Sequence, residues 1–217
     1  VAPTLFAQED ATKKLSISGS VDAYYQTNLT SSDALNDAFG TSFANETGFA
    51  LGMANIIAAY EGDKTGVVAD VVFGPRGDAA VGGYNLNQLY AYWNVSENTT
   101  LTMGRFNTFL GYEVISPTGN FNYSVSYLFN AGPFSHTGLK MDYAASEDLS
   151  FMLAVTNPHA ITAGANPTND YQLGFQTGYK GQYFNLAYGA DGSGVNDALY
   201  LDYTGGFDVS DSFFLGI

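Results

Sequence analysis

Apolar and polar positions alternate along much of this chain. Between Tyr171 and Tyr179 the odd positions carry Tyr, Leu, Phe, Thr and Tyr, while the even positions carry only Gln and Gly. The alternation resumes after Lys180 and Gly181 and continues to Tyr188. Because successive side chains of a strand point to opposite faces, this stretch predicts a hairpin with one apolar and one polar face.

The same alternation recurs in about eleven segments, most of them close to the roughly 9–11 residues that a tilted membrane strand needs. The predicted strands lie near 15–27, 48–60, 65–74, 84–95, 99–106, 134–144, 149–157, 170–180, 183–190, 198–205 and 212–217. The pattern contains no convincing amphipathic helix longer than two turns and no Pro/Ser-rich linker. It therefore predicts a single all-β unit.

The connections between these segments alternate between short and long. Short links such as "EGDKTG", "AASED" and "KGQ" take turns with long ones. The long connections are 28–47, 75–83, 107–133, 158–169 and 191–197. Outer-membrane barrels have tight periplasmic turns and longer outer loops, so the order favours an antiparallel up-and-down transmembrane β-barrel.

Aromatic residues lie near both ends of the predicted strands. Tyr25 and Phe49 are examples at the outer ends, and Tyr60 and Trp93 at the inner ends. Amphipathic rings take these positions at the two membrane interfaces. We therefore expect the apolar face to meet lipid and the polar face to meet water inside the barrel.

Composition excludes several classes of function. The 217 residues include 25 Gly, 16 Tyr and 16 Phe but no Cys, and only 13% of them are charged. A net charge of −14 with 7 basic residues cannot neutralise a run of phosphates, so we predict no nucleic-acid partner. Without Cys there is no disulfide scaffold or thiolate metal site, and we predict no metal or cofactor. No apolar run is long enough for a transmembrane helix.

The two ends of the sequence suggest processing and truncation. "VAPTLFAQED" is typical of the end of a secretory signal peptide cut after Ala7, which leaves 8–217 as the barrel domain; a flexible arm is the alternative. The chain stops at "SFFLGI", inside a predicted upward strand. Since single-chain bacterial barrels generally have an even number of strands, we expect a fragment that lacks at least one C-terminal strand.

The region 104–140 resembles a known family. "GRFNTFLGYE", "NFNYSVSYLF" and "GPFSHTGLK" are similar to segments of the beta-barrel porin-2 (OmpL-like) family of bacterial outer-membrane proteins. "SGSVDAYYQTN" at 18–28 also fits the first strand of that family. The resemblance implies an outer-membrane barrel with pore activity. The family's barrels are longer and close on a last strand, which this chain does not show.

Charged residues on the polar face are candidates for lining the pore. By alternation they are Asp22, Asp70, Lys140, Asp142, Lys180 and Asp202. Four acids against two bases predict a mild preference for cations.

Arg105 and Glu113 stand eight residues apart around the start of the longest outer connection. Such a loop can fold into the lumen, so we predict that the two residues form a constriction. The alternative is an ion pair that pins the loop. Arg105 also shares its parity with the apolar Leu101 and Met103, so either Gly104 marks a bulge or the assigned facing is wrong.

Three functions follow from these patterns. The leading one is a porin-like channel for passive diffusion of small hydrophilic solutes. The second is a non-conducting structural or adhesive barrel with a plugged lumen. The third is an outer-membrane lipid hydrolase, suggested by Ser135 and His136. Adjacent strand residues face opposite ways, so we predict no enzyme.

The expected location is the bacterial outer membrane. The expected partners are outer-membrane lipid, lipopolysaccharide and small hydrophilic solutes, and oligomerisation is left open. Acidic residues concentrated in loops and turns suit divalent-ion bridging to lipopolysaccharide as well as simple solubility.

Overall fold

A computed structural model describes residues 14–27, 29, 43, 46–82, 84–159, 166–192 and 196–217. The described strands are β1 (Lys14–Gln26), β2 (Gly48–Glu61), β3 (Thr65–Phe73), β4 (Leu86–Ser96), β5 (Thr99–Asn107), β6 (Ser135–Ala144), β7 (Leu149–Thr156), β8 (Gln172–Tyr179), β9 (Gln182–Ala190), β10 (Asp197–Thr204), β11 (Gly206–Ser210) and β12 (Phe213–Gly216). One α-helix, α1 (Pro75–Val81), follows β3, and 3₁₀ helices span Pro117–Gly119 and Leu128–Ala131. The predicted signal remnant, 1–7, lies outside the described residues.

Strands β1 to β10 form one antiparallel sheet in chain order, with β1 and β10 at its edges. This confirms the predicted up-and-down order for ten of the eleven predicted strands. The last predicted strand, 212–217, does not join the sheet: β12 pairs with β11 in a separate hairpin. The sequence pattern placed β11 in a short link, because "GGFDVSD" contains glycines and acids that are typical of turns.

Apolar side chains cover the outer face of the sheet, and polar ones face its interior. Val21 on β1 is 83% exposed and Leu173 on β8 is 59% exposed. Gln172 and Asn185, on the opposite face of β8 and β9, are each 1% exposed. This distribution is the reverse of a water-soluble sheet protein, and it confirms the alternation predicted from the sequence.

The sheet curls around residues 108–134, which we call the inner loop. In a flat sheet of ten strands, β1 and β10 would lie roughly 43 Å apart. Inner-loop residues Gly111 and Tyr123 nevertheless bond to β10 and β1, respectively. The chain between them could span that distance only if fully extended. Instead it folds back on itself, with Asn120 bonded to both backbone groups of Val114.

A small apolar core lies between the inner loop, α1 and the interior face of β2 and β3. Its buried members are Phe43, Met53, Val72, Ala80, Val81, Ile115 and Val125. Helix α1 begins at Pro75, whose missing N–H costs nothing in the first turn, and ends at Val81, followed by Gly82 in the left-handed conformation. Within the described residues, no helix has the length and apolar character needed to cross a membrane.

Candidate functional site

The inner loop starts against the interior wall formed by β6, β7 and β8. The Phe109 ring stacks on the His136 ring, with centroids 4.6 Å apart and an interplanar angle of 19°. Thr108 Oγ1 and His136 Nε2 form a 3.0 Å hydrogen bond. Gly174 leaves room for this contact, because a Cβ there would lie 2.6 Å from the Phe109 ring. Phe109 therefore anchors the start of the loop.

We expect Gly174→Leu to push Phe109 off this wall, because the new side chain would occupy the volume of the ring. Overpacking of this kind costs about 1–3 kcal/mol, so chymotrypsin should cut after Phe109 at least about fivefold faster in the folded protein. Gly132→Ala is the control, since a Cβ at Gly132 would meet nothing within 4 Å. Equal cleavage of Gly174→Leu and the unmodified protein would show that Phe109 is not docked here.

The loop next reaches the edge strand β10. The Gly111 N–H donates to Asp202 Oδ2 over 2.9 Å, and Asn185 Nδ2 donates to the same oxygen over 2.7 Å. Gln176 Nε2 in turn donates to Asn185 Oδ1 over 2.7 Å. A chain of polar side chains thus runs from β8 through β9 to β10 and ends on the loop backbone.

The loop is tied to the other edge of the sheet through Tyr123. Its hydroxyl donates to Asp22 Oδ2, and Asp22 Oδ1 accepts from the Met53 N–H over 2.9 Å. The Tyr123 ring also packs against Tyr24, with centroids 5.4 Å apart. Burial, followed by the bond to Asp22, raises the pKa of Tyr123 well above its usual value. The phenol therefore stays protonated and keeps its role as donor.

Arg76 on α1 fixes the path of the loop at two points. Its Nε donates to the Ile115 carbonyl and its Nη1 to the Tyr123 carbonyl, each over 2.9 Å. The guanidinium lies 4.7 Å from the Phe43 ring centroid and 5.4 Å from that of Tyr123. Burial lowers the pKa of Arg76, while Tyr123 and Asp22 act in the opposite direction. The charged Arg76 guanidinium is therefore stabilised by two carbonyl oxygens and two aromatic rings.

The structure does not bring Arg105 and Glu113 together. Arg105 is buried, and its Nε donates to Ser135 Oγ over 3.1 Å while its Nη1 points to the Val81 carbonyl. Glu113 accepts hydrogen bonds from the backbone and hydroxyl of Ser126, inside the loop. The alternative of an ion pair between them is therefore wrong. Their role as a constriction stays a prediction.

Gly104 explains why the facing of Arg105 was ambiguous. Pairing of β5 with β4 and β6 continues through Gly104 without a register shift, so the suggested bulge is absent at this point. Gly104 has a φ of +134°, and both Arg105 and Phe106 after it are buried. Alternation no longer predicts exposure here, because Val81 of α1 contacts Arg105 and His136 of β6 contacts Phe106.

The remaining charged candidates fall into four settings. Asp70 is buried and accepts from Asn55 Nδ2 and Asn87 Nδ2. Lys140 and Asp142 form a 2.5 Å ion pair on the interior face of β6, and both side chains are partly exposed.

Lys180 lies in the turn after β8, where its amino group is 3.7 Å from the exposed Asp148 carboxylate. Asp22 and Asp202 form the fourth setting, since both bond to the inner loop.

Sequence analysis missed the residues that position the loop. Arg76, Tyr123 and Phe109 lie in long connections, where no periodicity assigns a facing. Ser135 and His136 were considered as a catalytic pair, but they bond to Arg105 and Thr108, respectively. They therefore act as supports for neighbouring segments.

An antiparallel sheet in chain order, apolar outside and polar inside, defines the class of porin-like β-barrels. The family model described as "Putative beta-barrel porin-2, OmpL-like" matches residues 14–217. The chain belongs to this family. The match confirms the resemblance seen in the sequence. A comparison with curated proteins gives no match.

Proposed function

We propose that the protein is an outer-membrane channel for passive diffusion of small hydrophilic solutes. The observation that carries the proposal is the reversed distribution of side chains: apolar residues outside, amides and charges inside. An apolar outer face suits lipid, and a polar interior suits a water-filled lumen. Membership of a porin-like family supports the same role.

The inner loop narrows the lumen of this proposed channel. It lies in the interior of the curled sheet and bonds to strands at both of its edges. Acids outnumber bases on the interior face, so we also propose a weak preference for cations. Outer-membrane lipid would contact the outer face, and acidic loops would bridge to lipopolysaccharide through divalent ions.

Conductance in a planar lipid bilayer tests the proposal directly. We expect discrete current steps from the folded protein and none from protein denatured by heat. Liposomes that contain the protein should also swell in small sugars. Absence of both signals would instead favour a non-conducting barrel with a plugged lumen. The bonds of the loop to both edge strands are the observation that favours this second candidate.

The Lys140–Asp142 pair is expected to influence ion selectivity, because both charges are partly exposed on the interior face. Asp142→Asn should shift the reversal potential towards anions, and Lys140→Gln should shift it towards cations. A unit charge at 4 Å in water is worth ~1 kcal/mol, so permeability ratios should change by about two- to fivefold.

Lys64→Gln, in the exposed turn between β2 and β3, is the control and should leave the ratio unchanged. We expect smaller shifts from Glu113→Gln towards anions and from Arg105→Gln towards cations, because both side chains bond within the protein. If neither Asp142→Asn nor Lys140→Gln changes the reversal potential, this pair does not lie on the permeation path.

A further inference from the structure

We propose that the junction of Asp22, Tyr123 and Arg76 is a latch that sets the size limit of the channel. The inference rests on the proposed channel function. The latch joins two residues that are 101 positions apart in the chain. It holds the middle of the inner loop against β1, on the side of the interior opposite to the Phe109 anchor.

Each group of the latch has a defined hydrogen-bond partner. One Asp22 oxygen is fixed by the Met53 N–H, which leaves the other oxygen to receive the Tyr123 hydroxyl. Gly52 makes this possible, because a Cβ there would overlap the Asp22 carboxylate and approach the Tyr123 hydroxyl. Arg76 holds the carbonyl of the same tyrosine. Tyr123 is thus held by hydrogen bonds at both its side chain and its backbone.

The start and the middle of the loop are attached differently, so the latch can be removed separately from the Phe109 anchor. At the start, Phe109 packs on a wall of ring and backbone atoms, and Gly111 bonds to Asp202. In the middle, the Tyr123–Asp22 hydrogen bond is polar and only partly buried. Loss of this bond would release the Tyr123 side chain from β1, while Arg76 still holds the Tyr123 carbonyl and the start of the loop stays docked. The free space between loop and β1 would then widen, and larger solutes would pass.

The test uses Tyr123→Phe and Asp22→Asn, which remove the donor and the charge of the acceptor with little change in volume. The sequence contains no Cys. A single Val125→Cys in each background, at an inner-loop position that is 2% exposed, therefore reports release of the loop through its rate of maleimide labelling. Tyr84→Phe and Asp63→Asn are matched controls, because both residues are exposed and neither belongs to the inner loop or the latch. Migration of unheated samples on a gel checks that every variant is folded.

We expect both latch variants to label roughly tenfold faster than the controls, which corresponds to about 1.4 kcal/mol. Liposomes that contain them should also admit a larger sugar than the unmodified protein admits. Labelling and size limit that match the controls would overturn the latch. Faster labelling without conductance in any variant would support the latch and refute the channel. Conductance with an unchanged size limit, despite faster labelling, would refute the role of the latch in selection.

Discussion

Leu153→Arg is expected to destabilise the protein by about 2–4 kcal/mol in a lipid bilayer. Leu153 stands in the middle of β7 on the outer face, is 52% exposed and pairs with Met141 and Phe175. A lipid-facing Arg near the middle of the membrane costs this much because the hydrocarbon cannot solvate its charge. Urea unfolding of the protein in lipid vesicles measures the change.

Ser150→Arg is the matched control, because Ser150 lies on the same strand but on the interior face. It is partly exposed on that face and pairs with Gly178. We expect a loss of less than about 1 kcal/mol, since a lumenal charge stays in water. Equal losses for Leu153→Arg and Ser150→Arg would contradict the assignment of the outer face to lipid.

Gly104→Ala is also expected to destabilise the protein, through backbone strain and a steric overlap. Gly104 has a φ of +134°, where an L side chain costs about 1–3 kcal/mol. Its Cβ would also overlap the Leu89 carbonyl oxygen on β4. That atom belongs to a paired strand and cannot swing away as a side chain could. The midpoint of urea unfolding and the folded fraction on unheated gels measure the loss.

Gly132→Ala serves as the control for this substitution. Gly132 has an ordinary extended backbone, with a φ of −122°, and open space around its Cα. It should unfold at the same urea concentration as the unmodified protein. If Gly104→Ala unfolds with that same midpoint, the close approach of β4 and β5 at Gly104 is not as described.

The separate hairpin of β11 and β12 could not be predicted from the alternation of apolar and polar residues. Phe213, Phe214 and Leu215 are consecutive apolar residues, which do not define two faces by alternation. Their position depends on contacts with distant segments: the Phe214 ring lies 5.9 Å from that of Phe121 in the inner loop. Such a contact cannot be predicted from the strand itself.

The candidate site divides in the same way. Alternation assigned Asp22, Asp70 and Asp202 to the interior face, because each lies within a regular strand, and their role in lining a pore stays a prediction. It could not show that Asp22 and Asp202 bond to the inner loop, since loop residues have no period. The buried Arg76 was missed because its partners are backbone carbonyls, which leave no trace in sequence.

The sequence by itself determined strands β1 to β10, their order and the face that most of their side chains present. The physical reason is local: backbone pleating makes side chains alternate, and short turns force neighbouring strands to pair. Tertiary structure alone decided the path of the inner loop and the groups that hold it. Those contacts join residues far apart in the chain, and they form only when the curled sheet brings β1, α1 and β10 around the same loop.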